Sequence, residues 1–496
     1  MILNLKSKKK QIAIFFIWFP ILFAINANLT DYIYFGSSKT ANINTIRIFL
    51  YIISFIFLVI YFFLNLKKIK LLNSIFFLYL IIFIIQSNFV ISENFNQLLM
   101  HYKIFFIRDI SNIEKFIGDL EIGLEIQSIY MMIGTFAALL YYINFNDDKF
   151  QNTIKLKIII TSSIIVIVYL YFAFNMWRDF FFNTDKHVIL LYYSPYLSNN
   201  EVFGHVMSRS TGISRILSMI SITTLLFIFY IKNNLAKTFS LAFIIIINTT
   251  IILLSSRFGT YSCILMSLII IFLINSSYLK KVIILIFISV IPYLAQYAIK
   301  EYKLYKSITK LNNSIELKIF NKDYQDLKNN FINENTIVIN RGIIRENKEN
   351  KSLEISTTGR TEIWKKVYGL YLNNKINVWI GNGFQADRKL LTGGNSKYYG
   401  SNVSNALLNI FVCSGMIGVL IFIYINIKII IRIFQFIFIK KIYNNLNKNF
   451  GLIISINILL FLYLRSLVEN SISYYNIDFL IFLMCLYIID KERKII

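Results

Sequence analysis

Charged residues are scarce in this chain of 496 residues. They make up 16% of it, whereas 56% of the residues are hydrophobic and the mean hydropathy is +0.60. Soluble domains carry about 25% charged residues, so the composition excludes a soluble protein, a disordered protein and an enzyme held by a single anchor. About 20 apolar residues cross a bilayer, which allows on the order of a dozen spans.

Cysteine, histidine and proline are also rare. The three cysteines, Cys263, Cys413 and Cys485, each lie in or beside an apolar run without bridging spacing, so no disulfide framework or CxxC metal site is predicted. The three histidines lie far apart, and we predict neither a metal nor another cofactor. With 3 Pro and 18 Gly, few helices should be broken, which argues against the unwound ion sites of many transporters.

Twelve apolar runs are long enough to span a membrane. The first run follows several lysines and lacks a small-residue cleavage site, so we expect it to be retained as a span. The runs are 11–27, 47–65, 71–91, 126–145, 157–175, 213–231, 239–255, 260–277, 281–299, 404–424, 450–468 and 472–490. The sequence therefore predicts an all-α polytopic membrane protein with about twelve transmembrane helices.

Basic residues favour one side of these spans. If the N-terminus is cytoplasmic, the short inner segments hold 22 Lys and Arg residues and the short outer segments hold 11. The positive-inside rule then predicts that both termini are cytoplasmic, and long translocated segments escape that rule. We expect a membrane domain at 1–299, one large outer loop domain at 300–403 and a second membrane domain at 404–496.

Four arginines lie on the predicted outer side, against the charge gradient. They are Arg209 before span six, Arg257 in the short hairpin between spans seven and eight, Arg360 in the large loop, and Arg465 at the end of span eleven. A guanidinium is costly to bury, and its planar fork matches phosphate oxygens in two-point contacts. This arrangement predicts a site for a polyanion at the outer leaflet.

Plainer interpretations exist for several of these residues. Arg465 and Glu469 are spaced i,i+4 and can form an ordinary ion pair within one helix. Arg209 can simply reach the lipid headgroups. Trp364 can stack on a sugar ring, or it can pack and anchor the chain at the membrane interface.

Short motifs follow one another in the second half of the chain. Residues 358–364 read TGRTEIW, 380–384 read IGNGF, 404–408 read SNALL and 414–418 read SGMIG. Their order resembles the O-antigen polymerase/O-antigen ligase family, whose members typically show a GRxxxW helix, a GxG turn and a His-Asn pair that opens the next span, with a GxxG farther along it. The Ser-Arg-Phe-Gly hairpin at 256–259 is similar to the family's Ser-Arg-Gly segment, and the twelve spans with one late periplasmic loop match its layout.

One position departs from the family pattern. The family's ligases usually carry histidine where this chain has Ser404, immediately before Asn405. A serine cannot act as the imidazole base proposed for those ligases, which favours the polymerase. The carboxylates nearest to the signature arginines are Glu362 and Glu469, which can also serve only as a helix cap and an ion-pair partner.

The resemblance implies a metal-independent membrane glycosyltransferase at the periplasmic face of a bacterial inner membrane. Such an enzyme joins undecaprenyl-diphosphate-linked repeat units into an O-antigen or capsule-like polysaccharide in lipopolysaccharide biosynthesis. The expected partners are this lipid-linked oligosaccharide, the lipid bilayer and a chain-length regulator protein. No nucleic-acid partner is expected. The implied catalytic residues are Arg257, Arg360 and Glu469, and the implied substrate-binding residues are Arg209, Arg465, Asn405 and Trp364.

Three alternatives stay open. An O-antigen ligase of the same family would transfer finished polymer to a lipid A-core acceptor. A flippase or transporter for the lipid-linked oligosaccharide would need ionisable residues at mid-span, whereas the predicted spans keep their charges near the ends. A non-catalytic scaffold of a polysaccharide export complex is also compatible with the sequence.

Overall fold

The computed structural model describes most of the chain from residue 210 onward, apart from the segment 303–359, and two shorter stretches before it. The described residues are 78–87, most positions of 162–177, 210–254, 257–299, 302, 360–384, 386–392, 403–472 and 477–493. Within these ranges every regular element is helical, which confirms the all-α class for this part of the chain. The predicted spans at 11–27, 47–65 and 126–145 lie outside the described residues, so the count of twelve stays a prediction.

Ten α-helices are numbered here in chain order. They are α1 (Leu78–Ser87), α2 (Ser210–Tyr230), α3 (Asn234–Leu253), α4 (Arg257–Leu273), α5 (Tyr278–Leu285), α6 (Arg360–Leu372), α7 (Ala386–Thr392), α8 (Ala406–Phe434), α9 (Leu446–Ser466) and α10 (Ile477–Arg493). The described positions between 162 and 177 are also helical. The π-helical turns Ile286–Val290 and Gln435–Ile439 prolong α5 and α8.

Among the described residues, five helical stretches are long and apolar enough to cross a membrane. They are Ile213–Tyr230, Asn234–Leu253, Tyr278–Ile299, Ala406–Ile439 and Lys448–Ser466. These stretches coincide with the predicted spans six, seven, nine, ten and eleven, while α4 and α10 coincide with spans eight and twelve. Apolar run length alone therefore located most of these helix ends to within a few residues. The end predicted for span ten at 424 is wrong, because α8 continues to Phe434 and its π-helical turn to Ile439.

Helices α2 and α9 form the centre of the described bundle. Helix α2 packs against α3, α4 and α9, and α9 also packs against α4 and α10. Leu217, Leu225, Ile456, Leu459 and Phe461 are fully buried in this core. Since lipid tails are as apolar as these side chains, close packing between the helices stabilises the bundle.

A small extramembrane unit, which we call the cap, consists of α6, the turn 373–384 and α7. Its core is separate from that of the bundle and contains Val367, Ile376, Ala386, Val403 and Val412. Trp364 packs against this core, and its indole Nε1 donates a hydrogen bond to the Val403 carbonyl at 2.9 Å. The side chain of Trp364 thus holds the cap to the chain that enters α8.

The cap is joined to α8 by an interruption of that helix. Gly415 has φ 64° and ψ −165°, so the helical ladder stops there and resumes one residue later. Four backbone hydrogen bonds to the turn of the cap replace the missing ones: Asn382 N to Val412 O (2.9 Å), Gly383 N to Cys413 O (3.0 Å), Met416 N to Val378 O (2.7 Å) and Ile417 N to Trp379 O (3.2 Å). The two glycine motifs of the sequence therefore dock into each other.

Glycine is required on both sides of this joint. A Cβ on Gly415 would lie 2.3 Å from the carbonyl carbon of Trp379, and a Cβ on Gly381 would lie 2.4 Å from that of Cys413. Both residues also have positive φ, which L residues with a side chain rarely adopt. The 24 residues from Met416 to Ile439 span about 36 Å, enough for a bilayer, so the first turns of α8 are free to carry the cap.

Candidate functional site

Three helix ends meet around one buried carboxylate. Asp478, in the first turn of α10, is fully buried. Arg215, near the start of α2, contacts both of its oxygens, with Nε 3.0 Å from Oδ1 and Nη1 donating to Oδ2 at 3.1 Å. Arg465, in the last turn of α9, places its Nε 3.4 Å from Oδ2. One carboxylate thus fixes two guanidinium groups at the same end of the bundle.

Helix polarity explains part of this arrangement. A carboxylate in the first turn of a helix and a cation in the last turn both interact favourably with the helix dipole, as Asp478 and Arg465 do. Arg215 stands near a helix N-terminus, where a positive charge is disfavoured, so its ion pair with Asp478 offsets that effect. Both arginines are almost completely buried, at 8% and 5% exposure for Arg215 and Arg465.

A second ion pair, between Arg360 and Glu469, belongs to the same end of the bundle and is partly exposed to solvent. Arg360 is the first residue of α6 in the cap, and Glu469 lies in the turn that follows α9. Nη2 of Arg360 donates to Oε1 of Glu469 at 3.0 Å, and the two side chains are 21% and 23% exposed. This pair connects the cap to the membrane bundle and leaves charged atoms within reach of a ligand.

These charges form one group, which we call the arginine–carboxylate cluster: Arg215, Arg360, Arg465, Glu469 and Asp478. The Arg465 guanidinium interacts electrostatically with both carboxylates and with both other arginines. Among the described residues, three guanidinium groups and two carboxylates come together in a place that is mostly shielded from water. Guanidinium groups match phosphate oxygens in two-point contacts, so the cluster is suited to a phosphate anion.

Asn405 supports the cluster from the start of α8. Its side-chain oxygen accepts the hydrogen bond of Leu408 N at 2.9 Å and caps the helix. Its side-chain nitrogen donates to the carbonyl of Leu467, and its backbone N–H donates to Oδ1 of Asn470, both at 2.9 Å. These contacts hold the turn that carries Glu469, so Asn405 has a structural role beside the predicted binding role.

The structure brings four of the predicted site residues together. Arg360, Arg465, Glu469 and Asn405 meet within the cluster or beside it, although 109 positions of the chain separate Arg360 from Glu469. Trp364 lies one turn along α6 from Arg360 and packs inside the cap. Sequence spacing also allowed an ion pair between Arg465 and Glu469, but the observed partners are Asp478 for Arg465 and Arg360 for Glu469.

The structure describes only the backbone of one of the other two predicted arginines and nothing of the second. Arg257 begins α4, and the first turn of that helix lies beside α2, where Ser218 Oγ is 3.3 Å from the Gly259 carbonyl. Its backbone is thus at the same end of the bundle as the cluster, while its side chain lies outside the described residues, as does that of Glu362. Arg209 lies wholly outside the described residues.

Sequence reasoning missed Asp478 and the role of Arg215. Arg215 was counted only as one of the outer basic residues, and Asp478 was not singled out at all. Both lie inside the bounds of predicted spans, at 213–231 and 472–490, where an ionisable residue is rare and needs a partner. Arg215 and Asp478 carry opposite charges and lie at similar depths in their predicted spans, and this signal in the sequence could have predicted their ion pair.

No site of metal-ligand type appears in the part of the chain that the structure describes. No group of three or more His, Cys, Asp or Glu side chains comes together there. The carboxylates of the cluster are engaged by arginine instead, at 3.0 to 3.4 Å. What this site offers a ligand is positive charge and guanidinium hydrogen-bond donors.

Comparison with known proteins gives one match. Residues 241–423 match the family model described as O-antigen ligase. The matched region contains Arg257, Arg360, Asn405 and the two glycine motifs that form the joint between the cap and α8. No curated protein and no solved structure matches the chain.

Proposed function

From the match of residues 241–423 to the O-antigen ligase family model, we propose that the chain is a polysaccharide polymerase of the inner membrane. The match supports membrane glycosyltransferase activity of ligase or polymerase type. The finer proposal is that the enzyme joins repeat units carried on undecaprenyl diphosphate, at the periplasmic face, into an O-antigen or capsule-like glycan. It needs no metal for this step.

The observation that carries the proposal is the convergence of three guanidinium groups, those of Arg215, Arg360 and Arg465, at one end of the bundle. In glycosyl transfer from a lipid diphosphate, the bond between the anomeric carbon and the diphosphate oxygen breaks, and that oxygen leaves with the electron pair. Fixed guanidinium groups can neutralise the developing charge without reorganising, which is the largest single contribution in many enzymes. Arg215 and Arg465 are fixed by Asp478, whereas Arg360 is exposed enough to contact the substrate directly.

Glu469 is the proposed proton acceptor. In the free enzyme its carboxylate is held by Arg360 at 3.0 Å. When the diphosphate binds Arg360, the carboxylate loses this partner and is available to the incoming sugar hydroxyl. The hydroxyl oxygen then forms the new bond to the anomeric carbon, and its proton passes to Glu469. The exchange of partners couples the base to the presence of the donor.

Ser404 supports the polymerase over the ligase. It occupies the position where the family's ligases usually carry histidine, at the entrance to α8 and directly before Asn405. A hydroxyl cannot accept a proton at neutral pH as an imidazole does. Ligase activity is the second candidate, because the description of the matching family names it.

The experiment is the size ladder of surface polysaccharide from cells that lack this gene. The cells are complemented with the wild type, Arg257→Ala, Arg360→Ala or the control Lys365→Ala at matched membrane levels; Lys365 is exposed on the same helix as Arg360. We expect the deletion to leave the lipid core with a single repeat unit. The wild type and Lys365→Ala should restore the ladder, and the two arginine variants should lower polymer by 100-fold or more, on the order seen when one charge-stabilising donor is removed.

Other outcomes identify or exclude the alternatives. Polymer that accumulates on the lipid carrier while the core stays bare would establish the ligase in place of the polymerase. A ladder that the deletion leaves unchanged would exclude both activities. Full restoration by Arg360→Ala would contradict the role of the cluster even if the protein polymerises.

A further inference from the structure

A second charged site lies at the opposite end of the bundle from the arginine–carboxylate cluster. There, the last turns of α8, the π-helical turn after it and the end of α10 enclose a groove of about 540 Å³. Its charged and polar lining consists of Lys428, Arg432, Gln435 and Lys440. The positive-inside rule predicts that this end faces the cytoplasm.

The groove carries more positive charge than its own residues neutralise. Arg432 forms an ion pair with Asp490 of α10. Nζ of Lys428 lies 4.4 Å from the ring centroid of Tyr424, and Nζ of Lys440 lies 5.0 Å from that of Phe436. Three cations thus share one carboxylate among the described residues, and both lysines contact aromatic faces, which gives them less stabilisation than an anion does.

An apolar surface adjoins this charge. Ile431, Phe434, Phe438 and Ile439 follow the same stretch of α8 and its π-helical turn, and each is more than half exposed, from 51% to 75%. A ligand that fits the groove therefore has an anionic head and a hydrocarbon body. The position at the end of a membrane-spanning helix places the head at the level of the lipid phosphates.

We propose that this groove binds the phosphate headgroup of an anionic phospholipid from the leaflet opposite the active cluster. The phosphate contacts Lys428 and Lys440 in place of their aromatic partners, while Arg432 stays with Asp490. The acyl chains lie along the exposed apolar side chains of α8. The bound headgroup lies beside the ion pair of Arg432 and Asp490, which joins the ends of α8 and α10. The other ends of these two helices carry the cap and Asp478.

The test uses the full-length purified protein and native mass spectrometry with added phosphatidylglycerol. Two variants remove the same number of charges. One carries Lys428→Gln and Lys440→Gln in the groove. The other, at the same end of the bundle, carries Lys232→Gln in the link between α2 and α3 and Lys237→Gln in the first turn of α3. We expect the groove variant to bind the first phosphatidylglycerol about 30-fold more weakly than the wild type, because each lysine near a lipid phosphate contributes about 1 kcal/mol and two are removed. The control variant should bind it within about 2-fold of the wild type, because its lysines lie outside the groove. Equal thermal unfolding of all three proteins checks that folding is unchanged.

Three results would overturn the proposal. An equal loss in both variants would mean that only net charge attracts the lipid. Phosphatidylcholine held as tightly as phosphatidylglycerol, with the same loss in the groove variant, would exclude recognition of the anionic head. Displacement of the lipid by millimolar inorganic phosphate would assign the groove to a free anion instead. None of these results depends on polymerase activity, so the proposed function is tested separately.

Discussion

At the scale of single residues, the two carboxylates of the arginine–carboxylate cluster have different tasks because they differ in burial. Asp478 is fully buried and contacts two guanidinium groups. The side chain of Glu469 is 23% exposed and contacts one guanidinium group, that of Arg360. Asp478→Asn removes the carboxylate charge that both guanidinium groups contact and should lower the free energy of unfolding by about 3–5 kcal/mol. Glu469→Gln breaks only a partly solvated pair, which contributes about 1 kcal/mol or less.

The same two variants separate folding from chemistry. We expect Glu469→Gln to keep its unfolding temperature in detergent but to lose on the order of 100-fold in polymerisation rate at saturating lipid-linked donor, as for removal of a general base. Asp478→Asn should lose stability and activity together. Wild-type turnover by purified Glu469→Gln would show that another group accepts the proton, and unchanged stability of Asp478→Asn would contradict the ion-pair network.

The residues of the site were only partly accessible from the sequence. Arg360 and Glu469 were found because a motif and a position near a span end marked them. Their pairing was not predicted, because the i,i+4 spacing offered an ion pair of Glu469 with Arg465 within one helix as the plainer interpretation. In the structure Arg465 contacts Asp478 of the next helix, and Glu469 contacts Arg360 of the cap. Long-range ion pairs depend on how helix ends converge, and a spacing rule within one helix carries no information on that.

At the scale of elements, the joint between the cap and α8 is the feature that the amino-acid composition did not predict. Few prolines predicted few broken helices, yet α8 is interrupted at Gly415. The backbone groups on either side of it, those of Val412, Cys413, Met416 and Ile417, form hydrogen bonds with the turn 377–384. The motifs at 380–384 and 414–418 were visible in the sequence as separate signatures. The two motifs need glycine for the same reason. A Cβ on Gly381 would collide with the backbone of α8, and a Cβ on Gly415 would collide with the backbone of the turn.

Gly415→Ala tests this joint. The added Cβ would meet the Trp379 backbone at 2.3 Å and force a strained φ, so we expect a cost of at least 1–3 kcal/mol and release of the turn from α8. Gly369→Ala is the control, because its Cβ meets nothing within 4 Å and alanine favours a helix by about 0.5–1 kcal/mol. Limited proteolysis should cut the cap faster in Gly415→Ala and not in Gly369→Ala; equal protection in both would mean that the joint tolerates a side chain.

At the scale of the whole molecule, orientation decides whether the proposed chemistry is available. Run length located the helices, and charge asymmetry predicted their direction, but helix packing alone is the same for either orientation. Lys365 of the cap and Lys441 beyond α8 are both exposed and lie towards opposite ends, and the native Cys263, Cys413 and Cys485 are buried. Single cysteines at these two positions can therefore be labelled with little background.

We expect a membrane-impermeant maleimide to label Lys365→Cys in intact spheroplasts and Lys441→Cys only after the membrane is permeabilised. The reason is that the basic residues around Lys441, including those of the groove, should stay on the cytoplasmic side, while the cap is translocated with the long outer loop. The reverse pattern would place the arginine–carboxylate cluster in the cytoplasm. A polymerase that acts on repeat units at the periplasmic face would then be excluded, whatever its arginines bind.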